Sequence, residues 1–123
     1  MKEIIAIIRP NKAGTTRNAL EELGYPSMTA AAVLGRGHQR GIAGEISVSL
    51  DPKISAETTP GAMKYIPKRY LSLIVPDSEV EQVVASIISI NQSGSIGDGK
   101  IFIAPLEDAL RIRTGEGGDE ALA

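Results

Sequence analysis

The segment Gly94-Ser95-Ile96-Gly97-Asp98-Gly99-Lys100 sets glycines and one lysine in the order G-x-x-x-x-G-K. In that spacing bare backbone amides can cradle a phosphate while the lysine reaches its outer oxygens. A nucleoside-triphosphatase loop of this kind needs a strand before it, a helix after it, and Ser or Thr following the lysine to hold Mg2+. Here the pattern reads helix before and strand after, and the following residue is Ile101. That enzyme class is therefore not expected, although glycines still allow close approach to an anion and Lys100 supplies a charge. On this motif alone, a helix-to-strand turn with a solvated lysine is an equally good reading.

Two further groups carry anion chemistry. Leu34-Gly35-Arg36-Gly37-His38-Gln39-Arg40-Gly41 is a second glycine cluster, placed at the end of an expected strand. Arg111 and Arg113 stand two apart; on a strand they would share a face, an arrangement that asks for an anion or carboxylate between them. A salt-bridged surface arginine is the better reading of either one alone. Together with Lys100 and the two glycine turns, the pair favours a polyphosphate site. His38 is the only histidine, which excludes a multi-histidine metal site, and its place in a glycine turn gives no convincing Ser-His-Asp arrangement, so catalysis is not expected.

The elements that must hold these residues repeat one pattern. Residues 3–9, Glu-Ile-Ile-Ala-Ile-Ile-Arg, are a short apolar run ended by Pro10 and read as a buried strand. Asn11 offers a helix N-cap, Thr16, Ala19, Leu20 and Leu23 recur at helical spacing, and Gly24 can end the helix. A strand over about 27–34 follows. Tyr70 to Val75, closed by Pro76, then repeats the strand. Ser78 with Glu81 forms a capping box, and Val80, Val83, Val84, Ile87 and Ile88 form the next helical face. Lys100 to Ala104 reads as another strand and Leu110 to Arg113 as a short last one. The sum is an α+β, ferredoxin-like βαββαβ sandwich with both helices on one face of a largely antiparallel sheet. In such a fold the two glycine turns are expected to meet only across a subunit contact or a shared sheet edge.

Between the halves, residues 41–66 exceed the roughly 12–15 residues a compact domain leaves without structure, which marks the segment as functional or disordered. Ile42, Ile46, Val48 and Leu50 partly alternate with polar residues, as a hairpin would. Residues 1–115 make one domain, and 116–123 read as a mobile tail. A chain of 123 residues is the size of one domain. With Tyr25, Tyr65, Tyr70 and Phe102 as its only aromatics, its core must come from aliphatic side chains, which suits an oligomer. A formal charge of −2 offers no attraction to nucleic acid or anionic lipid. The absence of Cys fits a reducing cytoplasm. No apolar run is long enough for an export signal or membrane span.

Pro10, Met28-Thr29, Gly35-x-Gly37-x-Gln39-x-Gly41, Pro67-Lys68, Ile74-Val75-Pro76-Asp77, Gly94-x-Ile96-Gly97-Asp98-Gly99-Lys100-Ile101-Phe102 and Arg111-Ile112-Arg113-Thr114-Gly115-Glu116 resemble, in order and nearly in spacing, the PII nitrogen-regulatory proteins. The Gly97–Phe102 and Arg111–Glu116 segments are the most specific. The resemblance implies a cytoplasmic homotrimer with clefts between subunits that bind ATP or ADP. By matched position, Gly35, Gly37, Gln39 and Gly41 would line the phosphate side, and Thr29 and the backbone near Ile74 would meet the adenine. Gly97, Asp98, Gly99 and Lys100 would hold the nucleotide, and Arg111 and Arg113 would grip outer phosphates. Mg2+ would be held by ATP phosphates with Gln39 and 2-oxoglutarate, whose carboxylate would pair with Lys68. The segment 41–66 corresponds to the family's effector loop.

The loop is longer than in common members and has no Tyr at its tip, since Tyr65 lies near its base, which argues against uridylylation. Ser95 stands where many members carry Lys, a change that would weaken phosphate contacts. Met63-Lys64-Tyr65-Ile66-Pro67-Lys68-Arg69 and Leu34-Gly35-Arg36-Gly37 are similar to the nitrogenase-associated branch, which acts on nitrogenase, usually with a sister PII subunit. A regulator of ammonium transport would share every cleft residue, and a ligand-binding ferredoxin-like module or a small ATPase stays open on the residues alone.

Overall fold

The N-terminal apolar run forms the first strand of a computed structural model that describes residues 1–37 and 64–122. Strand β1 (Lys2–Ile8) leads into helix α1 (Pro10–Glu22), followed by β2 (Thr29–Arg36), β3 (Tyr65–Val75), helix α2 (Val80–Asn91) and β4 (Gly99–Pro105). The sheet order is β2-β3-β1-β4, and every neighbouring pair is antiparallel. This is the ferredoxin-like α+β arrangement expected from the repeated strand-helix-strand pattern. The hairpin expected within residues 41–66 lies outside the described residues, apart from Lys64 to Ile66 at its end.

Alternation on β1 sends Ile4, Ala6 and Ile8 to one face, and pairing with β3 sets Ile4 opposite Leu73 and Ala6 opposite Leu71. Helix α1 lays Ala13 and Leu20 on that face and α2 adds Val83 and Ile87, so both helices share one aliphatic core. Burying each of the larger side chains is worth about 1.5–3 kcal/mol. The helices also join through a polar contact. Buried Asn91 donates to Thr16 Oγ1 at 3.0 Å and to the Ile87 carbonyl at 2.9 Å, while the Thr16 hydroxyl donates to the Lys12 carbonyl at 2.7 Å.

Several boundaries differ from the sequence reading, each for a physical reason. Helix α1 is capped by Arg9 in extended geometry rather than by Asn11, because Pro10 occupies the first helical turn, where its missing N–H costs nothing. Ser78 makes no capping bond; residues 77–79 form a 3-10 turn ahead of α2, and Asp77 instead pairs with the N-terminal amine at 3.0 Å. Strand β3 begins at Tyr65 rather than at Tyr70 and takes in Pro67 and Lys68. Residues 65–68 pair only with β2, since β1 ends opposite Arg69, and a proline tolerates such a one-sided ladder.

The last strand expected over Leu110 to Arg113 is not formed. Leu110 makes an isolated bridge to Gly117, and the chain turns tightly between them, with Gly115 N–H donating to Arg111 O at 2.7 Å and Arg111 N–H to Glu116 O at 2.9 Å. Gly115 has φ of +74°, which only glycine adopts freely and which closes the turn. Arg111 and Arg113 therefore do not share a strand face. The segment ends in a 3-10 turn, Gly118–Leu122.

Candidate functional site

Where β1 stops at Ile8, the end of β2, the start of β3 and the loop before β4 close around a cleft of about 390 Å³ on the sheet face opposite the helices. Its lining brings together Gly35 and Gly37 from the first glycine cluster, Lys68 from β3, and Gly97, Gly99 and Lys100 from the second. Ile7, Arg36, Ile66, Ile96 and Phe102 complete it. The two glycine turns thus meet inside one chain, at the end of the sheet, which corrects the expectation that only a subunit contact or a shared sheet edge could bring them together. The reason is the length difference between strands: β1 is too short to separate them at this end of the sheet.

The cleft residues on strands are set by pairing. Gly35 lies opposite Ile66, Val33 opposite Lys68, and Ile7 opposite Lys100. A side chain at Gly35 would sit 3.2 Å from Lys68 Cγ, so the glycine leaves room for the lysine stem. Lys68 is only 8% exposed, and its ammonium reaches past the end of β1 to donate to the Gly97 carbonyl at 2.8 Å. Arg36 lies over the Tyr65 ring, 5.9 Å from its centre. Gly99 has φ of +114°, and a Cβ there would fall 2.0 Å from the Ile7 carbonyl oxygen, so this close crossing of backbones requires glycine.

Asp98 organises the loop from behind. Its carboxylate accepts from the Ser93 hydroxyl, the Ser93 amide at 2.7 Å, the Gly94 amide at 2.9 Å and the Arg9 guanidinium. Hydrogen bonds from Ser93, side chain and then backbone, outweigh desolvation and hold the carboxyl far below the usual carboxylate range, with Arg9 and the Gly94 amide adding to them. Because the folded value is depressed, the stability this group lends is fully present above the unfolded carboxylate range near ~4 and is lost only as pH falls toward the folded value.

The remaining candidates lie elsewhere. Thr29, opposite Ser72, and Ile74, opposite Glu3, sit toward the other end of the sheet. Arg111 pairs with Glu116 at 2.9 Å and donates to the Glu120 carbonyl at 2.9 Å, and Arg113 is exposed; neither lines the cleft. Gln39, Gly41 and His38 lie outside the described residues. Sequence reasoning missed Ile7, Ile66 and Phe102 as lining, although their alternation with core residues places them on the open face. It also missed Arg9 and Ser93, for which the sequence carries no local signal.

An ammonium and several glycine backbones in a partly apolar cleft suit an anionic group with an apolar part. Among the described residues, no cluster of three or more His, Cys, Asp or Glu could hold a metal ion by itself. No helix is long and apolar enough to cross a membrane.

The family model described as "Nitrogen regulatory protein P-II" matches residues 1–116. The chain is 54% identical over 122 residues to the "Nitrogen fixation nifHD region GlnB-like protein 2" of Methanobacterium ivanovii, covering 99% of each chain. It is 52% identical over 122 residues to the "Nitrogen fixation nifHD1 region GlnB-like protein 2" of Methanosarcina barkeri, again over 99% of each. To the "Nitrogen regulatory protein P-II" of Haemophilus influenzae it is 38% identical over 125 residues, covering 99% of this chain and all of the other.

Proposed function

Since the chain belongs to the nitrogen regulatory protein P-II family, we propose that it is a non-catalytic cytoplasmic sensor of ATP, ADP and 2-oxoglutarate that controls nitrogenase by direct binding. One observation supports this most: Gly35, Gly37, Gly97, Gly99, Lys68 and Lys100, drawn from three separate parts of the sequence, line a single cleft. The glycines leave backbone free to approach phosphates, and Lys100 adds charge. Lys68, now held by the Gly97 carbonyl, is the cation for the oxoglutarate carboxylate. Gln39 would be the protein ligand of an Mg2+ ion taken up with ATP and 2-oxoglutarate, and the ion would offset their negative charge.

Thr29, Ile74, Arg111 and Arg113 act from a neighbouring chain in this reading, because their own chain holds them away from its cleft. The assembly is a homotrimer, with a sister PII subunit as a possible companion. The nitrogenase target is supported by the names of the relatives, which place those proteins in nitrogen-fixation regions. Residues 41–66 form the effector segment, and its attachment beside Gly37 and Tyr65 ties its arrangement to what fills the cleft. Ligands shift such an equilibrium only by binding its states unequally, so 2-oxoglutarate and the target should weaken each other by one common factor.

Titration calorimetry tests the ligand assignment. ATP should bind, 2-oxoglutarate should bind measurably only with MgATP present, and Lys100→Ala should weaken ATP about tenfold, the value of one charge-assisted contact. A wild-type chain that binds neither nucleotide, or a Lys100→Ala variant with unchanged affinity and an intact fold, overturns the reading.

A further inference from the structure

The antiparallel register of β1 with β4 ends at Ile8 opposite Gly99, so the next rung sets Arg9 opposite Asp98, just beyond the ladder. Opposite charges facing across neighbouring strands attract, and here the pairing extends into the loop. Arg9 Nη1 donates to Asp98 Oδ1, and Nη2 donates to the Ile96 carbonyl at 3.0 Å. One guanidinium therefore grips the glycine loop at two points, on either side of Gly97. A planar fork presents its N–H donors for this in fixed geometry, whereas an ammonium on a flexible stem has to be ordered to do so.

The anchor is rigid. Arg9 precedes Pro10, which restricts it to extended backbone, and its observed φ of −66° and ψ of 141° lie in that region. Its carbonyl also accepts from Lys12 N–H at 3.0 Å, in the first turn of α1. On the loop side, Asp98 has four donors on its two oxygens, which uses the acceptor capacity of a carboxylate. A carboxylate so occupied is not available to a ligand, and it would repel a phosphate.

We propose that Arg9 is a positioning residue of the anion-binding loop: acting through Asp98 and the Ile96 carbonyl, it presets Gly97, Gly99 and Lys100 for a polyphosphate without touching it. Asp98 is then the loop's internal clasp rather than a nucleotide contact. The inference rests on the ATP-binding reading above and assigns a task within that site. A loop held in its binding geometry before the ligand arrives avoids an ordering cost on binding. That role accounts for a partly buried Arg–Asp pair beside the cleft, with side chains 16% and 21% exposed.

The test combines Arg9→Gln, Arg9→Lys, Asp98→Asn and the double variant Arg9→Gln/Asp98→Asn. ATP affinity is measured by calorimetry, fold by thermal melting, and loop order by amide hydrogen exchange over residues 93–98. Arg9→Gln should weaken ATP about tenfold and speed exchange in the loop while both helices keep wild-type protection. Arg9→Lys, which keeps the charge but not the fork, should fall between. The double variant should lose no more affinity than the stronger single one, since both changes open the same clasp. Wild-type ATP affinity in Arg9→Gln overturns the proposal, as does slow wild-type exchange in its loop. Additive losses in the double variant overturn it too, because they would put Arg9 on the ligand itself. Should Arg9→Gln melt globally, Arg9→Lys carries the same comparison. A wild-type chain that binds no ATP instead overturns the nucleotide reading, so the two failures are distinct.

Discussion

At the scale of single residues, glycines divide into those the backbone requires and those it merely accepts. Gly99 is required: its φ is +114°, and an added Cβ would meet the Ile7 carbonyl at 2.0 Å, an atom of the β1 backbone that cannot move without breaking the ladder. Gly37 shows neither feature, with nothing within 4 Å of such a Cβ. Gly99→Ala should therefore cost about 2–4 kcal/mol, while Gly37→Ala stays within about 0.5 kcal/mol. Denaturant melts followed by circular dichroism measure both, and equal stabilities would contradict the close crossing. The sequence shows glycines and lysine as a cluster, which made 97–100 a candidate anion loop only in combination with the other glycine turn and the basic residues. It does not show that Arg9 and Asp98 touch, because that contact spans 89 positions and exists only once the β1–β4 register is set.

At the scale of elements, helical periodicity identified both helices, since one aliphatic face of each had to meet the sheet. Thr16 was legible as part of that face; its partner Asn91 was not, because a polar residue at a core position acquires meaning only from the side chain opposite. The pair supports a prediction. Thr16→Val keeps the shape but removes the acceptor, leaving one Asn91 amide hydrogen buried and unpaired at a fully buried site. The expected loss is about 1–3 kcal/mol, read as a lower urea midpoint with unchanged slope. A variant as stable as wild type would mean that the helices do not depend on this bond. Element ends were less legible than elements. Pro10 displaced the expected cap, pairing with β2 lengthened β3, and Gly115 bent the expected last strand into a turn. Each outcome depends on a partner or dihedral that local composition does not reveal.

At the scale of the whole molecule, the sheet is unfinished. Strands β2 and β4 are its two edges, β2 is exposed along most of its length, and Phe102 remains 53% exposed on the open face. Edges of this kind invite pairing unless they are covered. Four ligand candidates also sit away from the cleft that needs them, an arrangement that association with neighbouring copies would resolve. The trimer proposed here therefore predicts a sedimenting mass three times that of the 13.0 kDa chain. Ala31 tests the interface without disturbing the cleft: it is exposed on β2, opposite Tyr70, and does not line the cleft. Ala31→Lys should cost the isolated chain little, as surface changes usually stay within about 0.5 kcal/mol. In an assembly that covers β2 it would bury an unpaired charge, so the mass should fall toward one chain while the helical circular dichroism stays unchanged. A wild-type chain that sediments as a monomer at micromolar concentration with ATP present would refute the trimer. An Ala31→Lys variant that remains three chains would remove β2 from the interface and leave the exposed face around Phe102 to hold the copies together.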